Sequence, residues 1–232
     1  MNIKRHIPNI ITLLNLFSGC IAVDFVSHGN FEMAFYFVSL GIFLDFFDGF
    51  FARLFKVSSP LGLQLDSLAD MVTSGLVPGY AMFTMMSNNN SICAYFPYLG
   101  FLITLGACYR LANFNIDTRQ TDSFIGLPTP ANALFILSLP LVLQHTDSLA
   151  VLEILVNPWI LLSVTLFSAF MMNAEIPLFS LKIKAGGLQK NLLGIVFVVI
   201  CILLLALFQY SGIPLVILTY ILLSVINNKF LK

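Results

Sequence analysis

The sequence predicts an all-α bundle of membrane helices. Hydrophobic residues make up 59% of the 232 residues and charged residues only 9%, whereas a soluble domain carries roughly 25% charged residues. The mean hydropathy is +0.94. Polar, proline or glycine breaks recur at about the 20-residue spacing that a helix needs to cross a bilayer. We therefore expect no separate soluble domain, and no nucleic-acid partner.

The breaks divide the chain into eight predicted transmembrane helices within one domain, residues 1–232. We read the apolar segments as helices because only helices and closed barrels satisfy their backbone hydrogen bonds inside a membrane. The breaks between them are then loops or turns. The predicted helices cover about residues 8–27, 32–55, 63–86, 94–114, 127–145, 155–175, 190–209 and 212–228.

The cationic residues orient this bundle. All of them lie at one end of the predicted helices, and loops on the cytoplasmic side of a membrane carry the excess of lysine and arginine. An even number of spans then places both termini and the 53–62 turn in the cytoplasm. The eleven residues are Lys4, Arg5, Arg53, Lys56, Arg110, Arg119, Lys182, Lys184, Lys190, Lys229 and Lys232.

Four aspartates lie on two consecutive predicted helices, in otherwise apolar sequence. Asp45 and Asp48 are three residues apart near the end of the second helix. Asp66 and Asp70 are four residues apart on the third helix, so each pair shares one helix face. The polar turn between the helices makes them antiparallel neighbours. We therefore expect four carboxylates to converge just below the cytoplasmic surface.

Such a cluster needs compensating positive charge. Each aspartate at the centre of a membrane helix costs about 2.5–3.5 kcal/mol, and Arg53 alone cannot balance four. Oxygen ligands suit hard cations such as Mg²⁺ or Mn²⁺, and two such ions suit displacement at phosphorus. Gly49, Ala52 and Gly62 would let a phosphate or nucleotide approach. The alternatives are helix caps paired with Arg53 and Lys56, or a divalent-cation transporter.

The spacing of these residues resembles the signature of the CDP-alcohol phosphatidyltransferase family, with no departure at a fixed position. The pattern is Asp45-x2-Asp48-Gly49-x2-Ala52-Arg53-x8-Gly62-x3-Asp66-x3-Asp70. The resemblance implies a six-helix membrane core in which a CDP-linked lipid loses CMP to an alcohol. It also implies that Asp45, Asp48 and Asp66 bind metal, that Asp70 is the general base and a further ligand, and that Gly49, Ala52, Arg53 and Gly62 line the CDP site.

Four further segments resemble the phosphatidylserine synthase branch of that family: residues 8–15, 110–115, 124–131 and 176–182. This resemblance covers about residues 8–185 and leaves the helices at about 190–228 outside the common core. It implies CDP-diacylglycerol as donor, L-serine as acceptor, a homodimer and a bacterial cytoplasmic membrane with the active site facing the cytoplasm. Asn113 departs from the branch, which often has a basic residue there.

The acceptor must be recognised by residues outside the acidic stretch. A serine carboxylate needs a cation, and arginine binds carboxylates with two parallel hydrogen bonds, so Arg110 is the candidate anchor, with Asn113 and Asn115 beside it. Arg110 could instead serve topology alone. Glycerol 3-phosphate and inositol are the alternative acceptors. On the first helix, Thr12 and Asn15 either border the nucleotide or form hydrogen bonds between helices.

Overall fold

The computed structural model describes residues 6–57, 59–87, 93–117, 124–179 and 188–230, and most of these are helical. The all-α membrane bundle is confirmed. The helices are α1 (Ile7–Ser27), α2 (Phe31–Phe55), α3 (Pro60–Asp70), α4 (Val77–Ser87), α5 (Leu102–Phe114), α6 (Thr129–His145), α7 (Leu149–Val156), α8 (Pro158–Asn173), α9 (Leu188–Phe208) and α10 (Gly212–Phe230). Short 3₁₀ segments precede α5 (Phe96–Phe101) and α10 (Gln209–Ser211).

Side-chain caps set the ends of the first helices. Asn30 begins α2 by accepting a hydrogen bond from the Met33 amide, and Ser59 begins α3 by accepting one from the Gly62 amide. Lys56 ends α2 in the left-handed conformation. The sequence predicts that α2 and α3 pack as neighbours, but these two helices have few close backbone contacts. Instead α1 packs against both, which leaves a cleft between α2 and α3.

The third predicted helix contains a π-helical segment, Met71–Leu76, that joins α3 to α4 directly after Asp70. The Thr73 hydroxyl donates to the Asn15 carbonyl, at 3.2 Å, and the Thr104 hydroxyl donates to the Gly75 carbonyl, at 3.1 Å. A Cβ on Gly41 would lie 2.6 Å from Thr73 Cγ2. Close packing against α1 and α2 therefore holds the π segment, which often marks a functional site in helices.

The sixth predicted helix, at about residues 155–175, corresponds to α8. The segment before it, predicted as a break, instead contains the short helix α7, and the two helices are bent by 70° at Asn157. The break has a local cause, because the residue before a proline is disfavoured in the α-helical conformation. Asn157 precedes Pro158 and caps α8 by accepting a hydrogen bond from the Trp159 amide, at 2.9 Å.

A two-stranded antiparallel ladder, which the sequence did not predict, joins the α6 and α8 regions. In it β1 (Phe124–Ile125) pairs with β2 (Pro177–Leu178). The Gly126 amide donates to the Ile176 carbonyl, at 2.9 Å, and the Leu127 amide donates to the Met171 carbonyl, at 2.8 Å. These bonds fasten the turn before α6 to the end of α8.

The main buried core lies among α4, α5, α6 and α8. Its fully buried side chains include Met82, Ile103, Ile136 and Met172, and Leu178 of β2 packs into the same cluster. The two-stranded ladder is thus anchored in the core by an apolar side chain as well as by backbone hydrogen bonds.

Three helical runs in the described residues are long and apolar enough to cross a membrane: Ile7–Ser27, Phe31–Phe55 and Leu192–Asn228, the last spanning α9, its 3₁₀ turn and α10. The bent pair of α7 and α8 adds a fourth when it is counted as one span. The eight-span topology and its orientation remain predictions. Six of the cations used for the orientation lie outside the described residues: Lys4, Arg5, Arg119, Lys182, Lys184 and Lys232.

The turn at Gly126 gives a stability prediction. Gly126 and Gly29 both have φ near +70°, but a Cβ on Gly126 would lie 2.5 Å from the Met172 carbonyl oxygen, whereas one on Gly29 would meet nothing within 4 Å. In Gly29→Ala the only cost should be that of a left-handed backbone at a residue with a Cβ. This lowers the free energy of unfolding by roughly 1–2 kcal/mol, or the Tm by about 2–8 °C.

Gly126→Ala should lower the Tm further, because the clash with backbone adds to the same conformational cost. Thermal unfolding of both variants in one detergent measures the difference. Equal Tm values for the two variants would contradict the packing described for this turn.

Candidate active site

Three of the four aspartates meet across the cleft between α2 and α3. One carboxylate oxygen from each of Asp45, Asp48 and Asp66 lies within 4.8 Å of the other two. Asp48 is buried, while Asp45 and Asp66 are partly exposed. The spacing of the pairs on each helix directs the side chains to one face, and the gap between the helices gives the carboxylates room to face one another.

Asp70 lies beside this triplet at the end of α3. It is 9% exposed, and its carboxylate is close enough to Asp45, Asp48 and Asp66 to interact with them electrostatically. Its Oδ1 accepts a hydrogen bond from Asn15 Nδ2, at 3.2 Å. One oxygen of Asp70 is therefore fixed by α1, whereas the other accepts no hydrogen bond from the described residues.

Helix α1 orients two of the four carboxylates. Thr12 and Asn15 are one helical turn apart, and both are buried. The Thr12 hydroxyl donates to Asp48 Oδ2, at 2.5 Å, while Asn15 donates to Asp70. The two residues were expected at the nucleotide or between helices; the structure places them between helices, on the acidic residues themselves.

Side chains in the described part of the chain balance little of the charge of the cluster. No lysine or arginine there forms an ion pair with the triplet. The exposed Arg53 lies over Gly49, where a Cβ would be 3.5 Å from Arg53 Nη1, and interacts with Asp48 only at longer range. Closely spaced carboxylate oxygens are the donor set of hard divalent cations. The triplet therefore fits a metal ion.

The small residues of the motif line the same cleft. Gly49 and Ala52 lie on α2 and are partly exposed, as is Gly62 at the start of α3. A Cβ on Gly62 would lie 3.3 Å from both Asn9 Oδ1 and Ser59 Oγ. At Gly62 the space is therefore already limited by α1 and by the helix cap, and a larger side chain would displace them.

Arg110 is buried, and its guanidinium donates hydrogen bonds to backbone carbonyls rather than to a carboxylate. Its Nη1 donates to the Ile125 carbonyl, at 2.9 Å, and to the Met172 carbonyl, at 2.6 Å. Both hydrogens of Nη1 are used in this way, so a carboxylate would have to bind the opposite edge, Nε and Nη2. Arg110 thus fastens the turn before α6 to the end of α8.

The structure separates the two asparagines that follow Arg110. Asn115 Nδ2 donates to the Ser67 hydroxyl, at 2.9 Å, and Ser67 stands next to Asp66 on α3. Asn115 Oδ1 is buried without a hydrogen-bond partner among the described residues. Asn113 is exposed on α5. Sequence reasoning did not single out Ser67, although its place between Asp66 and Asp70 was a signal for it.

Comparison with known proteins accounts for this combination of cleft and acids. A sequence profile described as CDP-alcohol phosphatidyltransferase matches residues 5–166, which include α1 to α7 and all four aspartates. The chain belongs to the CDP-alcohol phosphatidyltransferase family. The predicted resemblance to this family is thereby confirmed.

Three relatives of the chain carry the same name. Proteins named CDP-diacylglycerol–serine O-phosphatidyltransferase match from Bacillus subtilis (37% identity over 131 residues, 54% of this chain and 70% of the relative) and from Helicobacter pylori (34% over 142 residues, 56% and 54%). The protein of that name from Methanocaldococcus jannaschii is 32% identical over 130 residues, 56% of this chain and 58% of the relative. For the last two relatives the match spans little more than half of their length.

The contact between Thr12 and Asp48 gives a prediction about metal affinity. Residues that orient metal ligands typically change affinity by about 10–100-fold when they are removed. Thr12→Val keeps the shape and loses the hydroxyl, so Mn²⁺ affinity measured by electron paramagnetic resonance should fall within that range. Thr84→Val is the control, because among the described residues the Thr84 hydroxyl bonds only to the Tyr80 carbonyl of its own helix, α4. Equal Mn²⁺ affinity in the two variants would contradict the role of Thr12.

Proposed function

We propose that this protein transfers the phosphatidyl group of CDP-diacylglycerol to the hydroxyl of L-serine, giving phosphatidylserine and CMP. The observation that carries the proposal is the meeting of Asp45, Asp48 and Asp66 across the α2–α3 cleft, with Asp70 beside them. The family of the chain and the shared name of its relatives support the donor and the acceptor.

The acidic residues would hold the cofactor. Asp45, Asp48, Asp66 and Asp70 provide enough oxygen atoms for two Mg²⁺ or Mn²⁺ ions. Bound there, the ions would supply positive charge to the diphosphate of the donor, where negative charge grows as CMP leaves.

Residues around the acids would bind the CDP-lipid. Bulky side chains are absent at three positions beside the acids, which are Gly49, Ala52 and Gly62. Arg53, exposed at the end of α2, places a guanidinium at its edge, where it suits a phosphate oxygen. Thr12 and Asn15 contribute from beneath by holding Asp48 and Asp70 in place.

Asp70 would serve as the general base. The serine hydroxyl gives its proton to the carboxylate oxygen of Asp70 that Asn15 does not hold. The serine oxygen then forms a bond to the lipid-bearing phosphorus, and the bond from that phosphorus to the CMP oxygen breaks. Positioning by a hydrogen bond compensates for the weak basicity of a carboxylate near cations.

The acceptor would lie between α3 and α5. The Nε and Nη2 edge of Arg110, to which no described residue is hydrogen-bonded, suits the serine carboxylate. Asn115 Oδ1, which is buried without a partner in the same part of the chain, suits the ammonium group. Asn115 is tied to Ser67, one residue from Asp66, so this acceptor site would adjoin the metal site. Asn113, being exposed, would contribute at the rim.

The cellular setting follows from the same proposal. Apolar helices make the chain a membrane protein, and we place it in a bacterial cytoplasmic membrane with the acidic cleft and both termini facing the cytoplasm. The family resemblance also favours a homodimer.

The function is tested by an acceptor panel. Purified protein with CDP-diacylglycerol and Mn²⁺ or Mg²⁺ should release CMP when L-serine is added and little without metal. Release only with glycerol 3-phosphate or inositol would reject serine as acceptor. Metal flux across proteoliposomes without CMP release would identify a divalent-cation transporter instead.

Asp70→Asn should separate chemistry from binding. Loss of a general base lowers turnover by about 10²–10⁴-fold, and the amide keeps the size of the side chain. Because the triplet is intact in this variant, Mn²⁺ binding should partly survive. Turnover within twofold of the wild type would show that Asp70 is not the base.

A further inference from the structure

Three polar side chains of α10 line one face of the helix and bind one segment of backbone. Tyr220, Ser224 and Asn228 are spaced i, i+4, i+8. The Tyr220 hydroxyl donates to the Phe179 carbonyl, at 3.0 Å, and Ser224 Oγ accepts from the Phe179 amide, at 3.4 Å. The Asn228 amide donates to the Pro177 carbonyl. We call these three residues the α10 stripe.

Aromatic packing fixes the same segment from the side. The Phe179 ring lies 4.9 Å from the Tyr220 ring and 5.6 Å from the Phe197 ring of α9, measured between centroids. Phe197 is 5% exposed. Both C-terminal helices therefore contact the residues that follow α8: α10 through hydrogen bonds and a ring contact, and α9 through a ring contact.

The segment that α9 and α10 contact, Pro177 to Phe179, is linked to Arg110 through β1. Pro177 and Leu178 form β2, which pairs with Ile125 and Phe124 of β1. The Ile125 carbonyl accepts one of the two hydrogen bonds from Arg110 Nη1. A continuous set of contacts thus runs from the α10 stripe through both strands to the guanidinium.

We propose that the α10 stripe is a positioning element for the acceptor site, which it serves by holding β2, β1 and hence Arg110 in register. The inference rests on the proposed function only in taking Arg110 as part of the acceptor site. The stripe lies outside residues 5–166, the part that matches the family profile. The proposal therefore gives a role to α9 and α10, the two helices outside the common core of the family.

The role predicts a selective kinetic effect. Loosening β2 should disturb Arg110 without moving Asp45, Asp48 or Asp66. Among the described residues, α10 forms no hydrogen bond to α2 or α3, the helices that carry these acids. The KM for the acceptor should therefore rise, while the KM for CDP-diacylglycerol and kcat should stay near the wild-type values.

The experiment compares two double variants of the full chain. Tyr220→Phe with Asn228→Leu removes two hydrogen bonds to the segment and keeps the aromatic ring. Thr219→Val with Asn227→Leu is the matched control, since it removes a hydroxyl and an amide one position earlier on the helix. The first should raise the KM for serine about five- to tenfold, and the control should leave it within about twofold.

Hydrogen exchange provides the second readout. The amides of Gly126 and Leu127, which bond to the Ile176 and Met171 carbonyls, should exchange faster in the stripe variant than in the control. Tyr220→Phe alone should give a smaller rise in the KM for serine and serves if the double variant does not fold.

Three results would overturn the proposal: an unchanged KM for serine, an equal change in both KM values, or the same change in the control. Wild-type turnover tests the proposed function separately. If the wild type uses another alcohol, serine is rejected as acceptor, and the same comparison of KM values with that alcohol decides the role of the stripe.

Discussion

The structure depends on keeping four carboxylates close together inside an apolar bundle. Like charges repel, and burial raises the cost of each charge, so such a cluster persists only where neighbours hold it and positive charge compensates it. Here α1 supplies the neighbours, through Thr12 on Asp48 and Asn15 on Asp70. A cation in the cleft would supply the compensation, and the same charge would act on a diphosphate.

The architecture around the acids follows from this requirement. Helix α1 packs against both α2 and α3, which have few close backbone contacts with each other, so the acids meet in the space between the two helix backbones. Gly19 and Gly41 let Thr73 approach α1 and α2, which seats the π segment directly behind Asp70. The end of the helix that carries Asp70, the proposed general base, is thus held in place from its far side.

Sequence and structure agree where the signal is local and side-chain based. The clustering of the aspartates could be predicted from their i, i+3 and i, i+4 spacing. The helices could be predicted from the length of the apolar segments. The register of β1 with β2, the π segment and the 70° bend depend on tertiary contacts. The carbonyls of Ile125 and Met172, which Arg110 binds, leave no trace in a sequence because every residue has one. Asn15 illustrates both cases, since its face could be predicted but its partner could not.

The most direct test of the central claim is to detect phosphorus next to the metal at these acids. Mn²⁺ bound to the purified protein should show a ³¹P hyperfine coupling in pulsed electron paramagnetic resonance once CDP-diacylglycerol is added. Asp66→Asn should weaken Mn²⁺ binding and remove the coupling. Mn²⁺ that binds without any ³¹P coupling, or a coupling that is unchanged in Asp66→Asn, would contradict the assignment of the Asp45, Asp48 and Asp66 triplet as the site that binds the donor diphosphate.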